Sequence, residues 1–101
     1  MALHDEGLIR FGALEIDRAS YRASIDGTTL DLTRSELEIL VLLVTNQRRV
    51  VSRTELSAAV GLAAARSVDV LLSSLRQKLP RSFVRNVRNR GWIIEPSAFG
   101  A

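Results

Sequence analysis

Hydrophobic and polar positions along this chain follow two rhythms, and the change from one to the other falls near residue 33. Before it, Leu8-Ile-Arg-Phe, Leu14-Glu-Ile-Asp, Tyr21-Arg-Ala-Ser-Ile and Thr28-Thr-Leu-Asp-Leu read as short strands, the second and fourth strictly alternating. Alternation sends successive side chains to opposite faces of a sheet. Asp26-Gly27 between two such runs is a hairpin signal, because glycine takes a positive φ without steric cost. Asp17-Arg18-Ala19-Ser20 reads as another polar turn. Residues 8–32 therefore predict an antiparallel meander with one face needing cover.

The helical rhythm then takes over. Thr33-Arg-Ser-Glu36 is a capping box, with Thr33 as N-cap and Glu36 reaching back to its amide. Leu37, Leu40, Val41 and Val44 follow at i, i+3, i+4 and i+7, predicting a helix that ends near Asn46. Ser52-Arg-Thr-Glu55 is a second box, opening a shorter helix that stops at Gly61. A third helix is expected from about Ala64 or Arg66 to Leu79, before Pro80. Its core stripe is Val68, Leu72, Leu75 and Leu79, and its outer face carries Arg66, Val70, Ser73, Ser74 and Gln77 with Lys78 at the edge. Phe83 to Arg88 and Trp92 to Glu95 form a last hairpin around Asn89-Arg90-Gly91, with Arg85, Arg88 and Arg90 on its tip and approach.

Composition narrows the class. At 101 residues, 47% apolar and 25% charged, the chain suits one globular domain. Residues 8–95 are expected to form it, with 1–7 a disordered linker and 96–101 a frayed tail. The absence of cysteine excludes a disulfide scaffold or thiolate metal site. The longest apolar run, Ile39 to Val44, is far short of the roughly 20 residues a membrane helix needs. With no signal-peptide pattern at the start, a cytoplasmic location is expected, with no membrane partner.

Charge is distributed unevenly. Residues 1–50 hold six arginines against eight carboxylates, whereas residues 51–101 hold seven arginines and one lysine against three. A basic C-terminal half implies a polyanionic partner. Thirteen of the cations are arginines, whose planar fork suits phosphates and base edges. A GC-rich genome explains the arginine preference equally well, but not the asymmetry.

Meander, three helices and basic hairpin, in that order, predict an α+β fold: a winged helix-turn-helix with an N-terminal antiparallel β-meander and a C-terminal β-hairpin wing. A helix face of small polar groups beside an arginine-tipped hairpin can sit in a groove and hold phosphates on either side. The stretches Ile25-Asp-Gly-Thr-Thr-Leu-Asp-Leu-Thr-Arg-Ser-Glu-Leu-Glu-Ile-Leu, Arg49-Val-Val-Ser-Arg-Thr-Glu-Leu, Arg66-Ser-Val-Asp-Val, Leu75-Arg-Gln-Lys-Leu and Asn86-Val-Arg-Asn-Arg-Gly-Trp carry a family likeness. In that order and spacing, over about residues 8–95, the chain resembles the C-terminal DNA-binding effector domain of OmpR/PhoB-type response regulators.

The resemblance implies sequence-specific binding of double-stranded DNA by a bacterial transcriptional regulator of a two-component system. The recognition helix 66–79 would enter the major groove and the wing 83–95 the minor groove. Arg66 and Ser67 match phosphate contacts at the start of the recognition helix, and Arg53 joins them as a phosphate ligand. Val70, Ser74 and Gln77 match positions facing base edges, and Arg76 matches an arginine that commonly touches DNA. Ser73 lies on the same face. On the wing, Arg88 matches the arginine that enters the minor groove, with Asn86 and Arg90 beside it. Trp92 stands where the family usually has tyrosine; the loss of the hydroxyl removes one phosphate contact, for which the indole N–H can substitute, and the ring is expected to pack partly against the third helix. Further partners implied are RNA polymerase and a second copy on tandem half-sites.

The departures carry expectations of their own. Leu71, Ser73 and Ser74 occupy places where members usually have a histidine and arginines, so fewer bidentate contacts to guanine are available. Val70 or Leu71 against thymine methyls, Gln77 on adenine and greater dependence on the wing are expected instead. The connection Gly61-Leu-Ala-Ala-Ala is short and lacks the tryptophan usual in the loop that touches polymerase in the family.

A competing reading from another class is a winged helix used for protein–protein contact, docking through the meander or the apolar loop Leu62–Ala65. The arginine cluster would then be a solvated hairpin tip. A third reading makes the chain the DNA-binding appendage of an enzyme-like domain upstream. His4, the single histidine, has no partners for catalysis or metal binding, and Asp17, Asp26 and Asp31 fall at turns or strand exits. No enzyme activity, cofactor or metal is expected.

Overall fold

The computed structural model describes residues 7–61, 67–79 and 83–94. The expectations placed on His4, the loop Leu62–Ala65, Arg66 and the two tails lie outside these residues. The first four strands are β1 (Leu8–Phe11), β2 (Leu14–Asp17), β3 (Arg22–Ile25) and β4 (Thr28–Leu30). They pair in sequence order as an antiparallel meander, as the alternating pattern predicts. Asp26 and Gly27 both take positive φ, the conformation the β3–β4 turn requires. At the β2–β3 turn, Asp17 Oδ1 accepts a bond from the Ala19 amide at 3.0 Å.

Register gives the sheet its two faces. Ile9, Ile16, Ala23 and Leu30 stand opposite one another across the four strands, and Phe11, Leu14 and Ile25 form a parallel row. These residues join the single core cluster, with Leu14 and Ile16 fully buried. The intervening row, Arg10, Glu15, Ser24 and Thr29, is the polar outer face. Its Arg10–Glu15 pair, at 3.8 Å and well exposed, contributes little.

Helices α1 (Arg34–Thr45), α2 (Arg53–Val60) and α3 (Val68–Lys78) follow. Both predicted capping boxes form: Thr33 and Glu36 satisfy each other's amides, as do Ser52 and Glu55. Helix α1 buries more than the narrow stripe read from its sequence, adding Ile39 and Leu43 to Leu37, Leu40 and Val44. It meets α2, α3 and the last strand at once, so apolar residues are needed over a wide arc.

Strands β5 (Val84–Val87) and β6 (Gly91–Ile94) close the fold as an antiparallel hairpin. Its tip is Arg88-Asn89-Arg90, with Asn89 supplying the positive φ. Gly91, read above as a turn residue, is instead the first residue of β6. Its reason for being glycine is close approach: a Cβ there would lie 2.0 Å from the Val51 carbonyl oxygen. That approach lets Val51 and Trp92 exchange backbone hydrogen bonds of 2.7 and 2.9 Å, seating the hairpin beside the entry to α2. The architecture is the expected winged helix-turn-helix.

Candidate nucleic-acid interface

Helix α3 begins one turn later than its earliest expected start. Ser67 is its N-cap, and its hydroxyl accepts from the Val70 amide at 3.3 Å. A capping hydroxyl of this kind retains its own hydrogen as a donor. Val68, Leu72, Leu75 and Leu79 are buried as predicted. Leu71 is buried too, at 6% exposure, which corrects the expectation that it reaches a thymine methyl. The buried arc of α3 is one position wider than the sequence stripe.

Ser74 also departs from its expected role. Its hydroxyl donates to Glu36 Oε2, across the interface between α3 and the first turn of α1. Lys78 Nζ donates to Glu36 Oε1 at 2.8 Å. Glu36 is 2% exposed, and the Thr33 amide bonds to the same Oε1 at 2.8 Å. Burial pushes this carboxyl upward, but hydrogen bonds from Lys78, Ser74 and the Thr33 amide, with the Lys78 charge, outweigh it and hold the pKa below the ordinary 4.5. Glu36 therefore stays ionised near neutral pH and ties the third helix to the first.

Helix α2 presents Arg53 toward the same surface. Its guanidinium Nη1 donates to Asp69 Oδ2 at 2.6 Å, and its centre lies 5.3 Å from the centroid of the Trp92 ring. Asp69 raises the arginine's pKa above its ordinary value. A guanidinium has five N–H donors, so binding Asp69 does not exhaust it. Trp92 is buried at 6% exposure beneath Arg53, so its ring is packed, as expected. Arg53, Asp69, Ser73, Arg76, Gln77 and Trp92 are among the residues lining a groove of about 740 Å³ between α3 and the hairpin.

On the hairpin, Arg88 and Arg90 are both exposed at the tip. Asn86 lies on the exposed strand, where its Nδ2 donates to the Gly91 carbonyl at 3.1 Å, a bond that braces the hairpin. The structure thus brings Arg53, Arg76, Gln77, Ser73 and Asn86 to one groove, with Val70 on the outward side of α3 and the arginine tip beyond. It draws Ser74 away. The contacts around this surface that escaped the sequence reading include the Glu36 cluster, the Arg53–Asp69–Trp92 stack and the Val51–Trp92 bridge. All join residues far apart in the chain. Among the described residues, no group of three or more His, Cys, Asp or Glu is placed to hold a metal. No described helix is long and apolar enough to cross a membrane.

Comparison with known proteins was made on both sequence and structure. The family described as "Transcriptional regulatory protein, C terminal" matches residues 27–94. The transcriptional regulatory protein TrcR of Mycobacterium tuberculosis is 37% identical over 99 residues, covering 91% of this chain and 38% of that protein. The crystal structure of the DNA-binding domain of CpxR from Escherichia coli superposes with a TM-score of 0.74 at 32% identity, covering 86% of this chain and 94% of that one. The response regulator AdeR DNA-binding domain, in complex with an intercistronic region, gives 0.79 at 27% identity, covering 86% and 98%. The chain spans less than half the length of the curated relatives it matches.

Proposed function

The chain belongs to the family of transcriptional regulatory protein C-terminal domains, and from that premise we propose that it is a sequence-specific double-stranded DNA-binding effector domain of the OmpR/PhoB type. The observation that carries this reading is the groove between α3 and the hairpin, lined by Arg53, Arg76 and Gln77 and continued by Arg88 and Arg90 at the tip. Helix α3 enters the major groove, and Arg88 reaches the adjacent minor groove, where narrow A·T tracts concentrate negative potential. Arg53, Arg76 and Ser67 hold phosphates, with Arg66 expected to join them. Its setting is a cytoplasmic bacterial regulator, and its role is binding rather than catalysis. A second copy on a tandem half-site and RNA polymerase are the further partners this reading allows. The outer face of the meander is mostly polar, with Arg10, Glu15, Ser24 and Thr29 in one row, which favours the DNA reading over protein docking through the sheet.

The test is a fluorescence-anisotropy titration against a random-sequence duplex at two salt concentrations. Binding should weaken steeply with salt, each phosphate contact adding about 0.9 to the slope. Arg88→Ala should lower affinity roughly tenfold or more, as expected for a lost charge-assisted bond, and make the slope shallower. No binding at low salt would refute the DNA reading. Wild-type binding by the variant would refute the assignment of the wing alone.

A further inference from the structure

The outward pole of α3 decides which bases this domain can tell apart. Opposite the buried arc of that helix lie Val70, Ser73 and Gln77, all exposed. Among the described residues, the neighbouring groups that a helical projection also turns outward are engaged elsewhere or set to the side. Ser74 donates to Glu36, and Lys78 is bonded to the same carboxylate at 2.8 Å. Arg76 sits on the flank of α3, lining the groove with Phe83 and Trp92. Guanine is read through O6 and N7 by a bidentate arginine or a lysine, and among the described residues the outward pole presents neither.

What the pole does present is complementary to A·T pairs. Val70 is 44% exposed, one of two large hydrophobic side chains so exposed among the described residues. The apolar group that a major groove offers it is the thymine C5 methyl. Gln77 has an amide whose N–H and carbonyl match adenine N7 and N6. Ser73, between them, donates or accepts and so tolerates any base. Val70 and Gln77 stand seven residues apart on α3. That separation spans roughly 10 Å of helix axis, the rise of about three base pairs.

Resting on the duplex-binding reading above, we propose that α3 selects an A·T-containing half-site, with a thymine methyl against Val70 and an adenine hydrogen-bonded by Gln77 about three base pairs away. The experiment begins by selecting binders to the 101-residue chain from a random duplex library. The expected consensus has a thymine and an adenine at that spacing, with tolerant positions between. Replacing the selected thymine with uracil should weaken wild-type binding about fourfold, the worth of one buried methyl. The same replacement should leave Val70→Ala unaffected. Gln77→Ala should cost between roughly 5- and 150-fold at the selected site and relax the adenine position.

A consensus of G·C pairs at these positions would overturn the inference, as would thymine-over-uracil preference that survives Val70→Ala. Enrichment of duplexes without any base preference would overturn it while leaving duplex binding intact. Failure to enrich any duplex, even at low salt, would instead remove the DNA-binding reading beneath it.

Discussion

Gly91→Ala is expected to unseat the hairpin and lower the stability of the domain by about 3 kcal/mol or more. Gly91 has a φ of +146°, and a Cβ built there lies 2.0 Å from the Val51 oxygen, 2.8 Å from its carbonyl carbon and 3.0 Å from Ser52 Cα. All three obstacles are backbone, so no side-chain rotation relieves them. The chain must separate at the Val51–Trp92 pair and lose hydrogen bonds of 2.7 and 2.9 Å, each with a net worth of about 1 kcal/mol. Trp92 then shifts from its buried place, and the positive φ adds about 1–3 kcal/mol of strain for any residue with a Cβ. For a domain of this size each kcal/mol moves Tm by about 4–8 °C. Thermal unfolding followed by circular dichroism should therefore show a fall of at least about 12 °C. A change of only a few degrees would mean that the hairpin is not held through Val51.

Glu36→Ala is the second large effect, at about 2–3 kcal/mol. It removes an N-terminal cap from α1 and the carboxylate that accepts from Ser74 and Lys78 on α3. The expected loss lies below that of a fully buried broken pair, because the Lys78 side chain is 32% exposed and can turn to water. Glu36→Gln separates charge from shape, keeping an acceptor for the Thr33 amide while giving up the ion pair. The pH dependence has a definite sign. A carboxyl whose native pKa lies below 4.5 contributes stability that is fully present above that value. The contribution is lost as the pH falls through the lower native pKa. Urea unfolding should thus show wild type more stable than Glu36→Gln at pH 7, with the gap narrowing as the solution is acidified below about 4.5. A gap independent of pH would assign the stabilisation to shape instead of charge.

Glu36 also marks the boundary of what was legible in the sequence. Its capping role is local, written within Thr33-Arg-Ser-Glu36, and the structure reproduces it. Its bonds to Ser74 and Lys78 join positions 38 and 42 residues away, and no periodicity encodes such a meeting. Ser74 consequently read as an outward-facing serine. The strands and helices were legible because alternation, helical spacing, capping boxes and Asp26-Gly27 all act between near neighbours. Leu71 was misjudged because the width of a helix's buried arc depends on how many elements surround it. Gly91 was misjudged because positive φ serves a turn and a close approach alike, and only the position of Val51 distinguishes them. For the candidate site, the resemblance to the family implied contact roles for the groove-lining Arg76 and Gln77, and Arg53 was placed beside them as a phosphate ligand. The Arg53–Asp69 bond needed coordinates, since it links the starts of two separate helices.

The way the hairpin is anchored divides its labour between its two ends. Its seat lies away from the tip, in the amides and carbonyls of Val51 and Trp92, the missing Cβ at Gly91 and the buried side chains of Val84, Trp92 and Ile94. On the proposed reading its working end is the exposed tip, Arg88-Asn89-Arg90. Anchorage at that end is indifferent to which residues occupy the tip, so the tip is a replaceable cassette. On the proposed DNA-binding reading, evolution or a designer can exchange its cations to retune minor-groove preference without repacking the core. The same anchorage leaves Gly91 no freedom to vary, placing the most changeable and the least changeable positions of the wing side by side.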